Sequence, residues 1–241
     1  MIRLDLCLVR RGLARSRSHA RQLIEAGRVT VPGATSVKPA LLVSADQIVS
    51  VVSDPYVSRG AHKLIGALDQ SGMAVPPRVV DVGASTGGFT QVLLERGATT
   101  VFALDVGHNQ LNPLVASDRR VIRRDGINAR QMGLADLDGR PVDLAVMDLS
   151  FISLRLVLPA VIELVTVGGS LLTLVKPQFE VGRSGLDQHG VVKDEQLAQA
   201  SVDAVATTAA VNGCHLVWSG RSVLVGEHGN QEYFCWFQRR R

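Results

Sequence analysis

Cysteine is scarce in this sequence, and its scarcity excludes two kinds of site. The 241 residues include three cysteines, Cys7, Cys214 and Cys235, which are far apart and lie within apolar patterns. An odd number of widely spaced cysteines supports neither a disulfide framework nor a Cys-x-x-Cys metal pair. The histidines show no metal-ligand spacing either, so we expect buried, reduced thiols and no metal site.

Long apolar runs are also missing. The nearest approach to one, Leu156 to Val167, is interrupted by Pro159 and Glu163 and is followed by two glycines, so it does not span a bilayer. Four charged residues within the first eleven leave no room for the apolar segment of a signal peptide. We therefore expect a soluble cytoplasmic protein that does not act on membranes.

The sequence does have a basic N-terminal quarter attached to a neutral body. Residues 1–58 carry eight Lys or Arg against four acids, whereas residues 59–241 carry 18 of each sign. Hydrophobic residues make up 46% of the chain, which is ordinary for a globular protein. A small basic module followed by a medium-sized catalytic domain is the expected organisation.

Residues 1–52 predict two short helices and a small sheet. Leu4, Cys7 and Leu8 have helical spacing, and Ser16 is a suitable N-cap for a second helix that Gly27 ends. Alternating residues near 29–31 and 48–51 predict two short strands bounded by turn residues.

Arginines gather on one side of this module, where they are candidates for RNA binding. A planar guanidinium donates two hydrogen bonds to phosphate oxygens, and a cluster of them binds a nucleic-acid backbone. A solvated charged face is the alternative, but the segregation of the excess charge favours RNA. The candidates are Arg3, Arg10, Arg11, Arg15, Arg17 and Arg21.

The same residues carry a resemblance to a known domain. The strings R-L-D at 3–5, L-V-R-R-G-L-A-R-S-R at 8–17 and G-R-V at 27–29 resemble an S4 RNA-binding domain. They are close to the version found at the front of TlyA-type proteins. The resemblance implies recognition of structured RNA.

Beyond a short linker at 53–58, residues 59–241 predict an α/β domain. Strands and helices alternate, which is typical of a doubly wound parallel sheet of the Rossmann type. A long helix is expected at about 195–211. The predicted strands lie at 78–83, 101–104, 121–122, 142–147, 171–175, 215–218 and 232–237.

A glycine turn follows the first predicted strand of this domain. The G-x-G-x-x-G dinucleotide pattern is absent, and the spacing is instead Gly83-x-x-x-Gly87-Gly88. Asp81 before the turn can balance a cationic ligand, and Asp105 after the next strand can bind ribose hydroxyls. These acids favour S-adenosylmethionine over NAD, although tight packing alone also explains such a turn. The candidate cofactor residues are Asp81, Gly83, Ala84, Ser85, Thr86, Gly87, Gly88, Phe89 and Asp105.

Four ionisable residues are expected to meet at the carboxyl edge of the sheet, where open α/β folds carry their chemistry. Asp148 and Lys176 directly follow strands, and Glu232 reaches the same side if its strand is antiparallel. Lys63 begins a helix that precedes the first strand of the sheet. Each charge alone is commonly a solvated loop residue, but their joint placement predicts a catalytic site.

The catalytic half resembles the FtsJ-like methyltransferase domain of the TlyA (haemolysin A) family. The resemblance rests on Y-V-S-R-G-A-H-K-L at 56–64, D-x-G-A-S-T-G-G-F-T at 81–90, D-L-S-F-I-S-L at 148–154, V-K-P-Q-F-E at 175–180 and G-N-x-E-Y-F at 229–234. It implies S-adenosylmethionine-dependent 2′-O-methylation of cytidine ribose in ribosomal RNA. The implied Lys-Asp-Lys-Glu tetrad is Lys63, Asp148, Lys176 and Glu232, and the implied adenosine ligand is Asp125.

The chain ends soon after Phe237, as in the shorter members of the family, which favours RNA of the large subunit, with the small subunit as a second possibility. A monomer is favoured. Lys176 is either a neutral base or a cation that stabilises the forming alkoxide, and the sequence leaves both roles open. The competing interpretations are an RNA-binding assembly factor without activity, a membrane-acting haemolysin and an NAD dehydrogenase.

Overall fold

The computed structural model describes residues 1–52, 54–226 and 228–240. The chain divides into two compact units, Met1–Pro55 and Tyr56–Arg241, and each unit has its own hydrophobic core. The division falls within the segment predicted as a linker, of which Ser53 lies outside the described residues.

The first unit combines two helices with two short pairs of antiparallel strands. Its elements are β1 (Ile2–Arg3), α1 (Leu4–Arg10), α2 (Arg17–Glu25), β2 (Val29–Thr30), β3 (Leu42–Val43) and β4 (Ser50–Val51). β1 pairs with β3, and β2 pairs with β4. The side chain of Ser16 caps α2 by accepting a hydrogen bond from the amide of His19. Gly27 ends this helix with a φ of +69°. β1 and β3 were not predicted, because strands of two residues are too short to show alternation.

The second unit contains a seven-stranded sheet flanked by helices, which confirms the predicted doubly wound α/β class. The helices are α3 (Arg59–Ser71), α4 (Gly88–Glu95), α5 (Pro113–Ala116), α6 (Leu158–Ile162) and α7 (Glu195–Val211). The strands are β5 (Arg78–Val82), β6 (Thr100–Asp105), β7 (Val121–Asp125), β8 (Val142–Met147), β9 (Val165–Val175), β10 (Cys214–Arg221) and β11 (Tyr233–Arg239).

The strand order is β10-β11-β9-β8-β5-β6-β7. Strands β5 to β9 are parallel, whereas β11 is antiparallel to both β9 and β10. Helices α3 and α4 cover one face of the sheet, and α6 and α7 cover the other. Because the chain winds in opposite directions from β5, the crevice between β5 and β8 is the position where such folds bind ligands.

The long strand β9 differs from the prediction. It begins at Val165 rather than near residue 171, and it continues through Gly168 and Gly169, which follow the apolar run at 156–167. Gly168 has a φ of +86°, and the register with β8 shifts here, so the two glycines form an irregularity within the strand. A Cβ atom on Gly169 would lie 2.9 Å from the backbone oxygen of Asp143, so the close approach of β8 requires glycine.

Candidate active site

The carboxyl edge of the sheet collects the four predicted catalytic residues. Asp148 directly follows β8 and Lys176 directly follows β9, so both leave the sheet on the same side. Tyr233 of β11 is paired with Val175 of β9, and the antiparallel direction therefore places Glu232 beside Lys176. The expectation that β11 is antiparallel is confirmed.

These residues form two lysine–carboxylate pairs. Lys63 Nζ lies 2.5 Å from Glu232 Oε2, and the two residues are only 8% and 2% exposed. Lys176 Nζ lies 2.6 Å from Asp148 Oδ1 and donates a hydrogen bond of 2.9 Å to Ser150 Oγ. Both lysines thus have an acid partner, and neither is left as an uncompensated buried charge.

Glycines allow the elements around these pairs to pack closely. Gly83 has a φ of +86°, and a Cβ atom there would lie 2.8 Å from the backbone oxygen of Asp148. A Cβ atom on Gly88 would lie 3.0 Å from the amide nitrogen of Ala61, so glycine also permits the start of α4 to contact the helix that carries Lys63. The glycine turn therefore joins the segments that bear Asp148 and Lys63.

Asp81 is a fully buried carboxylate below the glycine turn. Its Oδ2 accepts a hydrogen bond of 2.7 Å from Thr90 Oγ1, whereas its Oδ1 has no hydrogen-bond partner among the described residues. Burial raises the pKa of Asp81 to about 7, and the nearby carboxylate of Asp148 adds to the rise. A cation bound here would supply the missing partner.

Two further acids lie side by side at the ends of β6 and β7, where Asp105 and Asp125 are paired residues. Asp105 accepts hydrogen bonds from the amides of Ser85, at 2.8 Å, and Gly107, at 2.7 Å. Asp125 accepts one from the amide of Asn109 at 2.9 Å. A carboxylate offers about four acceptor positions, so both acids retain capacity for ligand hydroxyls.

Among the candidate cofactor residues, Phe89 differs from its neighbours because it is buried. Its side chain is 3% exposed and stacks on the ring of Phe234 at 6.1 Å between centroids, so it belongs to the core beneath the turn. Gly87 has a φ of +94° at the start of α4. The oxygens of Ala84 and Thr86 accept hydrogen bonds from backbone amides, and these residues contribute to the shape of the turn. With Asp81, Asp105 and Asp125, the turn fits a cationic nucleoside such as S-adenosylmethionine.

Sequence reasoning missed two aromatic residues and an acid next to the Lys176–Asp148 pair. Phe151 is 92% exposed, although its ring lies 5.3 Å from that of Phe179. Its φ of +64° is strained for a bulky residue. Glu180 is buried and bonds to the segment that follows Asp148. All three residues lie within the strings at 148–154 and 175–180 that carry the family resemblance.

The arginines of the first unit divide into two groups. Arg3, Arg17 and Arg21 form ion pairs with Asp5, whose side chain is fully buried. Arg11 donates hydrogen bonds to the backbone oxygens of residues 44, 45 and 47. In contrast, Arg10 and Arg15 are exposed and have no ion pair within the described part of the chain.

Neither a membrane-spanning helix nor a metal-ligand cluster occurs in the described residues. No helix among them is long and apolar enough to cross a bilayer. They also contain no group of three or more histidine, cysteine or acidic side chains arranged to hold a metal ion. Cys7, Cys214 and Cys235 are buried and unpaired, as expected.

Three features define a methyltransferase of the Rossmann-like class. They are an α/β sheet whose winding direction reverses at β5, a glycine turn flanked by acids, and two lysine–carboxylate pairs at the carboxyl edge of the sheet. Comparison with family models narrows this class. The model of the FtsJ-like methyltransferases matches residues 56–239, and that of the S4 domain matches residues 2–49. The chain belongs to the FtsJ-like methyltransferase family, in the TlyA branch that carries an S4 domain.

Three relatives illustrate the match. The chain is 50% identical to the 16S/23S rRNA (cytidine-2′-O)-methyltransferase TlyA of Mycobacterium tuberculosis, over 98% of this chain and 89% of that protein. It is 35% identical to the 23S rRNA (cytidine-2′-O)-methyltransferase TlyA of Campylobacter jejuni, over 78% of this chain and 72% of that one. The solved structure of a candidate hemolysin from Streptococcus thermophilus is 33% identical, covers 99% of this chain and 88% of its own, and has a TM-score of 0.77.

Proposed function

We propose that this protein transfers a methyl group from S-adenosylmethionine to the ribose 2′-oxygen of cytidine in ribosomal RNA. The observation that carries the proposal is the Lys176–Asp148 pair, which lies beside the glycine turn at the carboxyl edge of the sheet. The relatives from M. tuberculosis and C. jejuni have this activity by name, and 23S RNA is the substrate common to both. We therefore favour the large subunit, and the reaction belongs in the cytoplasm.

Cofactor binding is assigned to the glycine turn and its acids. The unpartnered Oδ1 of Asp81 compensates the positive charge of the methionine part. Asp105 and Asp125 bind the adenosine part through hydroxyl and amine donors. The bound cofactor supplies an electrophilic methyl group on a sulfonium.

The catalytic step requires a ribose hydroxyl to lose its proton as it attacks. Asp148 accepts this proton, and the ammonium of Lys176 stabilises the alkoxide that develops on the oxygen. Ser150 helps to orient Lys176 by accepting a second hydrogen bond from its ammonium group. The Lys63–Glu232 pair, which is more deeply buried, orients the ribose next to the first pair.

The exposed ring of Phe151 offers a surface for the target base. Proteins that recognise single-stranded RNA stack its unpaired bases on aromatic side chains, and such a contact would hold the nucleotide whose ribose is methylated. The ring of Phe179 packs against that of Phe151, with 5.3 Å between the centroids. An exposed aromatic beside the catalytic pair is difficult to explain otherwise, because its own burial contributes almost nothing to the fold.

The test is transfer of labelled methyl groups to purified large and small ribosomal subunits. Lys176→Ala should lower the single-turnover rate by about 100-fold or more while leaving S-adenosylmethionine affinity within about threefold, because Asp81 and Asp105 are unchanged. Lys193→Ala is the matched control, since Lys193 also pairs with an acid, Asp187, but is 76% exposed.

Label at a 2′-oxygen of either subunit supports the proposed reaction, and label on the large subunit supports the favoured substrate. Equal loss of rate and cofactor affinity in Lys176→Ala would mean that the catalytic centre lies elsewhere. Cofactor binding without transfer to either subunit would favour the assembly-factor interpretation.

A further inference from the structure

Two loops carry the residues around the proposed target hydroxyl, and each leaves the sheet from a neighbouring strand. The first loop, 148–153, follows β8 and bears Asp148, Ser150 and Phe151. The second loop, 176–180, follows β9 and bears Lys176 and Phe179. The ladder between β8 and β9 ends at Met147 and Thr173, so it does not hold these loops together. Among the described residues, no backbone hydrogen bond joins them.

Glu180 provides the missing connection. Its side chain is 1% exposed, and its Oε1 accepts a hydrogen bond of 2.7 Å from the amide of Leu154. Its Oε2 accepts one of 2.6 Å from Ser153 Oγ and one of 3.2 Å from Arg155 Nε. Arg155 also donates to the backbone oxygen of Glu180. One buried carboxylate at the end of the second loop therefore binds the last residue of the first loop and the two residues that follow it.

The other contacts between the loops involve the proposed catalytic residues and two aromatic rings. Lys176 reaches across to Asp148 and Ser150, and the ring of Phe179 lies against that of Phe151. Phe151 has a strained backbone and an almost fully exposed side chain, so it does not anchor its own loop. A displacement of about 1 Å at such a site can cost about 100-fold in rate.

We propose that Glu180 is a positioning residue for methyl transfer, which holds Asp148, Ser150 and Phe151 at their working distances from Lys176 and Phe179. It acts through these residues and has no contact of its own with the hydroxyl. The inference rests on the proposed function for the roles of Lys176 and Asp148. A role confined to stability is the competing explanation, because Glu180 also satisfies the amide that begins the 3-10 turn Leu154–Leu156.

The kinetic test uses Glu180→Gln in the full-length protein. The amide can still accept from Leu154, but it no longer offers a carboxylate to both Ser153 and Arg155. We expect the single-turnover rate to fall about 100-fold, with S-adenosylmethionine affinity within about threefold. Asp118→Asn is the control. Asp118 likewise accepts hydrogen bonds from an arginine and a backbone amide, but it lies before the amino end of β7, on the side of the sheet opposite to the carboxyl edge. It should leave the rate unchanged.

A second readout requires neither RNA nor turnover. The chain has six phenylalanines, and Phe89, Phe102, Phe234 and Phe237 are buried in the core. In protein labelled with fluorophenylalanine, the ¹⁹F resonances of Phe151 and Phe179 should shift or broaden in Glu180→Gln, while the four core resonances stay unchanged. Arg155→Gln removes the guanidinium but leaves the bonds from Ser153 and Leu154 to Glu180. It should give a smaller change in the same direction, which keeps the test usable if Glu180→Gln folds poorly.

A reduced rate together with changes limited to Phe151 and Phe179 supports the proposal. A wild-type rate, unchanged resonances of these two residues, or a rate and cofactor affinity that fall equally would each overturn it. Failure of the unsubstituted protein to methylate either subunit would instead overturn the proposed function, and the ¹⁹F spectra would still show whether Glu180 holds the two loops together.

Discussion

Asp81 shows how a single carboxylate can couple folding to ligand charge. Burial raises its pKa to about 7, so between about pH 4 and pH 7 the folded protein holds a proton that the unfolded chain lacks. Its contribution to stability is therefore complete below about pH 4 and is lost as the pH rises through 7. A cationic ligand reverses this preference, because it interacts more favourably with the ionised carboxylate.

Affinity for S-adenosylmethionine should consequently rise with pH up to about 7. Each decrease of one pH unit below 7 should weaken binding by up to about tenfold, because Asp81 must release its proton before the cation binds. Titration calorimetry between pH 5.5 and 7.2 would measure both the affinity and the released proton. Asp81→Asn should bind more weakly at pH 7 and lose most of this dependence, and an unchanged pH profile in that variant would assign the proton to another group.

At the scale of elements, the loop after β8 combines strain with exposure. Phe151 occupies a backbone region that favours glycine, yet its ring faces solvent. Selection for stability alone would place a glycine at this position, because removal of an exposed ring costs little and the strain would be relieved. The observed residue is therefore best explained by a contact that forms with the substrate.

Phe151→Gly should separate stability from activity. We expect the free energy of unfolding to stay the same or to rise by up to about 1 kcal/mol, because relief of strain offsets the added flexibility. We expect transfer to fall by about 10-fold or more, since base stacking contributes about 1–3 kcal/mol. Thermal unfolding and single-turnover assays would measure the two effects, with Phe151→Trp as the control that retains an aromatic surface. Loss of stability without loss of transfer would refute the stacking role.

Most elements of the second unit could be predicted, because parallel strands buried on both faces read as continuous apolar runs. Helix α7 has the predicted bounds, and the sheet edge collects Asp148, Lys176 and Glu232 through strand direction alone. Contacts formed by loops could not be predicted, since they depend on side-chain directions that no periodicity encodes. The bonds of Glu180 belong to this class. The start of β9 was missed for another reason, because Gly168 and Gly169 interrupt the apolar pattern inside the strand.

At the scale of the whole molecule, the excess positive charge lies in the first unit, but its arginines are not equivalent. Asp5 forms ion pairs with three of them, and the hydrogen bonds from Arg3 and Arg17 keep the pKa of Asp5 well below its usual range. Arg11 is tied to backbone oxygens near β4. Arg10 and Arg15 lack such restraints within the described residues, so phosphate oxygens are their most suitable partners.

Arg10→Ala and Arg15→Ala should each weaken RNA binding and reduce its salt dependence. Loss of one phosphate contact lowers the slope of log affinity against log salt by about 0.7–0.9, while transfer at saturating RNA should be unaffected. Arg11→Ala should instead lower the thermal stability of the first unit, because it removes the bonds to residues 44, 45 and 47. RNA-binding assays at several salt concentrations and a melting curve test this distinction between Arg11 and the other two arginines. Equal slopes of log affinity against log salt in all three variants would contradict it.

The position of β11 has a consequence during synthesis on the ribosome. This strand follows β10 in the chain but lies between β9 and β10 in the sheet, and it also brings Glu232 to Lys63, which is 169 residues earlier. A nascent chain that has emerged only as far as β10 therefore has an unpaired, largely apolar edge along β9 and an incomplete active site. The active site is therefore completed late in translation, and until then the edge of β9 is open to pairing with other chains.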